Sequence, residues 1–82
     1  MKNYQRTVKA TPAGGWNVAV TFEDGSKGTF DFSPFVDYPC YAPIREKGVF
    51  ERVVADHGTL MWPGEIDIAP EAVWAGAQVA AV

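Results

Sequence analysis

Apolar and polar residues alternate most regularly between residues 16 and 32. Apolar side chains at every second position predict a half-buried strand over residues 16–22. The Asp24-Gly25 pair predicts a tight turn, and the alternation then resumes on a return strand. We therefore predict a β-hairpin in which six side chains share one buried face: Trp16, Val18, Val20, Phe22, Phe30 and Phe32.

Shorter elements flank this hairpin. Residues 4–11 alternate as well and predict a first strand, which ends at the turn-forming segment 12–15. After the hairpin, Pro34 suits the first position of a helical turn, and Ser33 is placed to cap it. Residues 44–47 allow one further helical turn before a glycine.

The second half of the chain leaves one ambiguity. Residues 49–55 fit helical spacing, but residues 52–62 fit a second hairpin better, and we predict the hairpin. Pro70 and Glu71 predict the start of a C-terminal helix, which Gly76 weakens. The fold class expected is α+β, with an antiparallel sheet of about five strands built from hairpins, short helical turns and a short C-terminal helix.

Composition narrows the class of protein. The 82 residues are 48% hydrophobic, which suits a single domain over residues 1–82. No apolar run approaches the roughly 20 residues of a membrane span, and the N-terminus lacks the apolar stretch of a signal peptide, so we expect a cytoplasmic protein with no membrane partner. The net charge is −3 and the cations are scattered, which disfavours direct nucleic-acid binding.

Few residues offer chemistry. The one histidine, His57, lies in a turn, and strand geometry should turn the neighbouring Asp56 to the opposite face. The one cysteine, Cys40, has no cation nearby in sequence to lower its pKa. A zinc site needs three or four protein ligands, and His57 and Cys40 together supply two. We therefore expect a protein that is not an enzyme, with no catalytic residues, no metal and no cofactor.

Three residues near the end of the second hairpin are candidates for binding. Glu65 and Asp67 lie two residues apart, a spacing that suits acid–base work or the binding of a divalent cation. The structural alternative is that Asp67 hydrogen-bonds the free N–H groups at the start of the helix. Tryptophan is common at interface hot spots, and Trp62 is the best anchor candidate in the sparsely charged segment 53–62. The alternative is that Leu60 and Trp62 are wholly internal and the protein is a monomer. The candidate binding residues are therefore Trp62, Glu65 and Asp67.

The chain also resembles a known family. The resemblance covers roughly residues 8–73 and is carried by Asp24-Gly25, Phe30-Asp31-Phe32-Ser33, Tyr41 to Glu46, Phe50 and, most specifically, Leu60 to Glu71. These segments resemble the small bacterial proteins of domain-of-unknown-function family 2442. Ile44 and Val73 depart from the family pattern, which has leucine at both positions.

The resemblance implies an α+β fold like the N-terminal domain of longer relatives that carry a helix-turn-helix domain. It implies no known activity and no catalytic residues. Some family members resemble the product of the second gene in a two-gene cassette, beside another small uncharacterised family. This arrangement suggests an antitoxin-like partner role.

The residues and the family resemblance together favour two hypotheses for function. The first is a non-catalytic protein-interaction or regulatory module that binds another small bacterial protein or a second copy of itself through residues 53–62. The second is a small-ligand-binding or accessory domain with an aromatic cleft near Trp62 and Asp67.

Overall fold

The predicted first hairpin is present in the computed structural model, which describes residues 4–77. Strands β2 (Asn17–Phe22) and β3 (Lys27–Asp31) pair in antiparallel fashion. The Asp24 carboxylate accepts hydrogen bonds from the backbone N–H and the hydroxyl of Ser26, at 2.9 and 2.6 Å, and so fixes the turn between the strands. Strand β1 (Thr7–Pro12) pairs with the other side of β2, giving the order β1-β2-β3.

The strand register brings the large apolar side chains of the hairpin to one face. Val18 lies opposite Phe30, and Val20 lies opposite Gly28. Phe30 is 1% exposed, which confirms the predicted register. Trp16 is only partly buried, because it precedes β2 and packs at the margin of the core.

The second hairpin is also present. Strands β4 (Val54–Asp56), β5 (Thr59–Trp62) and β6 (Ile66–Asp67) form a second antiparallel sheet in the order β4-β5-β6. Strand β6 has two residues and was not expected from the sequence. The α+β class is confirmed, and residues 4–77 form six strands in two antiparallel sheets where a single sheet of about five strands was expected.

The two sheets meet along β1 and β4, which lie side by side. The backbone N–H of Thr7 donates to the carbonyl of Gly58 at 3.0 Å, and this bond ties the start of β1 to the turn after β4. The register of β1 shifts between Thr7 and Lys9, so Val8 lies at a bulge. These contacts make β1 and β4 an internal seam between the sheets.

Short 3-10 turns connect the sheets. They cover Ser33–Phe35, Pro39–Arg45 and Phe50–Arg52. The prediction that Ser33 caps the first turn is wrong. Ser33 is instead the first residue of the turn, and its backbone N–H donates to the Asp31 carboxylate at 2.9 Å.

Helix α1 (Pro70–Ala77) begins at the predicted proline. It packs on the core-facing side of β3 at two glycines. A Cβ on Gly28 would collide with the carbonyl oxygen of Ala77, and a Cβ on Gly76 would lie 2.7 Å from a carbon of the Phe30 ring. The sequence does not decide whether the helix frays or continues towards Val82, and residues 78–82 lie outside the described residues.

The core is continuous between the sheets and is centred on Phe32, which is fully buried. Its ring centroid lies 5.1 Å from those of Tyr41 and Trp62, and 5.9 Å from that of Phe50. Within residues 4–77, no helix is both long enough and apolar enough to cross a membrane. The buried apolar residues are Val18, Val20, Phe22, Phe30, Phe32, Ile44, Phe50, Val53, Leu60, Trp62, Ile68, Val73 and Ala77.

Candidate functional site

Trp62 is buried, whereas the other two candidate binding residues are exposed. Trp62 is 3% exposed, and its indole Nε1 donates to the carbonyl of Phe50 at 3.1 Å. A buried tryptophan commonly satisfies its N–H in this way. Trp62 therefore offers no surface to a partner in this structure, which fits the alternative of an internal tryptophan rather than that of an exposed anchor.

Glu65 and Asp67 do lie together, in an open cleft of about 300 Å³. The turn after β5 places them there, because Gly64 and Glu65 both adopt a left-handed backbone, with φ of 93° and 63°. The opposite wall comes from the 3-10 turn Pro39–Arg45. We call this space the acidic cleft, and its lining residues are Cys40, Tyr41, Glu65, Ile66 and Asp67.

Tyr41 joins the two walls of the acidic cleft. Its hydroxyl donates to the backbone carbonyl of Asp67 at 3.3 Å. Burial raises the pKa of Tyr41, and the nearby Cys40 and Asp67 raise it further, so the phenol stays protonated at neutral pH. The cleft thus presents carboxylates and a neutral phenol, a combination that suits cationic groups. Tyr41 is the one aromatic ring in its lining, so the predicted aromatic cleft is aromatic on one wall.

A second and larger open cleft was missed by the sequence analysis. Its volume is about 510 Å³, within the range typical of small-molecule sites. Trp16 and Phe50 supply an aromatic wall, and their ring centroids lie 5.0 Å apart in an edge-to-face arrangement. We call it the tryptophan cleft, and its lining residues are Gly15, Trp16, Ile44, Arg45, Glu46, Lys47, Gly48, Phe50 and Glu51.

Two valines are the exposed large aliphatic residues among the described residues. Val8 and Val54 are each 52% exposed, and they belong to the neighbouring strands β1 and β4. Val54 also lies opposite the half-buried Met61 of β5. We call these three residues the valine surface.

The lone histidine lies at the edge of this surface. His57 has a left-handed backbone with φ of 53°, and its Nδ1 lies 3.5 Å from the Asp56 carboxylate and 3.4 Å from the sulfur of Met61. The expectation that Asp56 points away from His57 is wrong, because the left-handed turn ends the alternation of a strand. Cys40 lies elsewhere, exposed in the acidic cleft. In the part of the chain that the structure describes, no three or more His, Cys, Asp or Glu side chains are grouped to hold a metal ion.

Comparison with known proteins identifies the family. A family model described as "Protein of unknown function (DUF2442)" matches residues 7–79. The chain belongs to the DUF2442 family. The matched residues include both sheets and α1, so the DUF2442 pattern spans the whole described fold. No curated protein and no solved structure matches the chain.

Proposed function

We propose that this DUF2442 protein is a non-catalytic protein-interaction module of the cytoplasm. The valine surface is the observation that carries the proposal. Exposing two large aliphatic side chains on adjacent strands costs hydrophobic free energy that a partner can recover by covering them. A domain of this size could instead have placed polar residues at both positions.

The charge of the chain favours a basic partner. The net charge is −3, and Asp56 lies beside Val54 in β4. Complementary charge around an apolar contact raises the rate of association and excludes acidic competitors. The cassette arrangement of some DUF2442 genes suggests that the partner is a small basic protein encoded by the adjacent gene, with this chain in the antitoxin-like role.

Co-purification with the product of the adjacent gene tests the proposal. We expect the wild-type chain to retain that product, and Val54→Lys to lose it while remaining folded. Ala75→Lys is the matched control, because Ala75 is exposed on α1 and receives the same charge. Retention of the product by Val54→Lys would refute the role of the valine surface, and no retention by the wild-type chain would refute this partner.

The acidic cleft favours a second candidate function, the binding of a small cationic ligand. Carboxylates of Glu65 and Asp67 beside the Tyr41 hydroxyl can receive an ammonium or guanidinium group. Titration with spermidine and with arginine amide, followed by amide chemical shifts, tests this function. We expect shifts around residues 65–67 that Glu65→Gln weakens and Glu71→Gln does not, and uniform small shifts would refute it.

A further inference from the structure

Strand β3 has a backbone edge that faces away from the sheet. Two residues that flank the strand bond toward β2. The carbonyl of Ser26 accepts from the backbone N–H of Phe22, and the backbone N–H of Phe32 donates to the carbonyl of Trp16, which precedes β2. Because hydrogen-bonding direction alternates along an antiparallel strand, Gly28 and Phe30 also bond toward β2. The N–H and C=O groups of Lys27, Thr29 and Asp31 therefore point outward.

Within residues 4–77, β3 pairs with no strand other than β2. Helix α1 contacts the core-facing side of β3, at Gly28 and Phe30. The side chains of Lys27, Thr29 and Asp31 are all exposed on the opposite side. An incoming strand thus meets a row of outward backbone groups flanked by polar side chains.

The other strand edges in the described residues are obstructed. Strand β1 has the bulge at Val8, a proline at position 12 and the Thr7–Gly58 bond. Strand β4 lies against β1. Strand β6 has two residues, and its Asp67 carbonyl already accepts the Tyr41 hydroxyl. Among residues 4–77, the edge of β3 is the longest that no other described strand covers.

The sequence of β3 is complementary to itself when one copy runs antiparallel to another. With Thr29 opposite the partner's Thr29, Lys27 falls opposite the partner's Asp31, and Asp31 opposite the partner's Lys27. In this register all three outward-bonding residues occupy hydrogen-bonded pairs, for a total of about six interchain backbone bonds. Opposite charges and paired threonines across strands are both favourable. Lys27 on a strand edge disfavours most incoming strands, but in this dimer the opposite charge of Asp31 on the second copy neutralises it.

We propose that two copies of this protein associate through β3, with Thr29 on the two-fold axis, to form one continuous six-stranded sheet from their first sheets. This inference deepens the proposed function by naming a self-contact, and it rests on the chain being an interaction module. The valine surface lies on β1, β4 and β5, so the dimer leaves it available for a different partner.

Charge exchange across the two-fold axis tests the dimer. We expect sedimentation equilibrium of the full chain, from micromolar to millimolar concentration, to show a monomer–dimer equilibrium. Lys27→Glu places like charges opposite each other twice and should weaken association by roughly tenfold. Lys27→Glu combined with Asp31→Lys restores opposite charges and should recover much of the affinity. The matched control is Lys9→Glu, the same charge change on β1, which should leave the affinity unchanged.

Amide hydrogen exchange supplies an internal control. The amides of Gly28 and Phe30 should be protected at every concentration, whereas those of Lys27, Thr29 and Asp31 should gain protection only as the dimer forms. A monomer at millimolar concentration would overturn the proposal. So would dimer affinity unchanged by Lys27→Glu, or protection of Thr29 that does not depend on concentration.

Failure of the dimer is distinguishable from failure of the proposed function. Co-purification of the adjacent gene product depends on Val54, whereas self-association depends on Lys27 and Asp31. A monomeric chain that still retains the gene product would refute the β3 dimer alone.

Discussion

The close approach of Gly76 in α1 to the Phe30 ring predicts that one substitution changes stability in opposite directions in two backgrounds. Alanine at position 76 should destabilise the wild-type protein, yet stabilise a variant that lacks the ring. Gly76 has no left-handed backbone that would itself disfavour alanine, so the added methyl group acts mainly on its neighbours. The nearest of these are two carbons of the Phe30 ring, 2.7 and 2.8 Å from the position of the new Cβ.

The magnitude follows from two opposing effects. Replacing glycine by alanine inside a helix gains about 1 kcal/mol. Gly76 is itself exposed, but the new methyl group would press on the buried Phe30 ring, and such overpacking costs about 1–3 kcal/mol. The net effect of Gly76→Ala in the wild-type protein is thus a loss of about 0–2 kcal/mol, whereas with the ring removed the helix gain of about 1 kcal/mol remains. The coupling between the two positions should be about 1–3 kcal/mol.

Urea unfolding followed by both circular dichroism and tryptophan fluorescence measures the four free energies of the cycle. Phe30→Ala should itself cost about 3–5 kcal/mol, a large part of the roughly 4–12 kcal/mol expected for a domain of this length. Phe30→Leu is the variant to use if Phe30→Ala does not fold, since it removes the ring and keeps most of the apolar volume.

Ala75→Gly is the matched control for this cycle, because residue 75 is exposed on the same helix. It should cost about 1 kcal/mol in either background, with no coupling to Phe30. If Gly76→Ala has the same effect with and without the ring, the close packing of α1 on β3 is not what constrains residue 76.

Three further predictions concern stability and chemistry. Thr7 is 3% exposed and its hydroxyl has no hydrogen-bond partner among the described residues, so Thr7→Val should raise the unfolding free energy by about 1–3 kcal/mol, measured by urea unfolding. His57→Ala and Cys40→Ser should leave any biological activity nearly intact, and a loss of activity above roughly tenfold in a folded His57→Ala variant would contradict the non-catalytic function. The bonds from Ser26 lower the pKa of Asp24 below its ordinary 3.8, so the stability they add is present above that pH and is lost as the pH falls through the lowered pKa. Asp24→Asn should therefore flatten the acid side of a plot of unfolding free energy against pH.

The first hairpin was predictable because its signals are local. Alternation fixes which side chains share a face, and Asp24-Gly25 fixes where the chain reverses. The resulting register places Val18 opposite Phe30, and both are buried. The start of α1 was predictable for the same reason, because Pro70 favours a first helical position without any distant partner.

The candidate site was less predictable because its walls come from distant parts of the chain. Tyr41 and the Asp67 carbonyl are 26 residues apart, and no local pattern brings them together. Trp62 illustrates the same limit. Its neighbours in sequence carry little charge, which suggests a surface for association, but the rings of Phe32 and Phe50 cover it in the folded chain.

Strand edges show why local charge alone does not identify which backbone edge is open. Lys9 on β1 suggests a protected edge, and the sparsely charged segment that contains β4 suggests an open one. In the structure the edges of these two strands contact each other, so neither the charge on one nor its scarcity on the other decides which backbone edge an added strand meets. The edge of β3 carries more charge than β4, yet it is open and its charges match a second copy in reverse order. Whether a charged residue prevents or selects an added strand therefore depends on the residue that comes to lie opposite it, and this is set by topology and symmetry rather than by the strand's own composition.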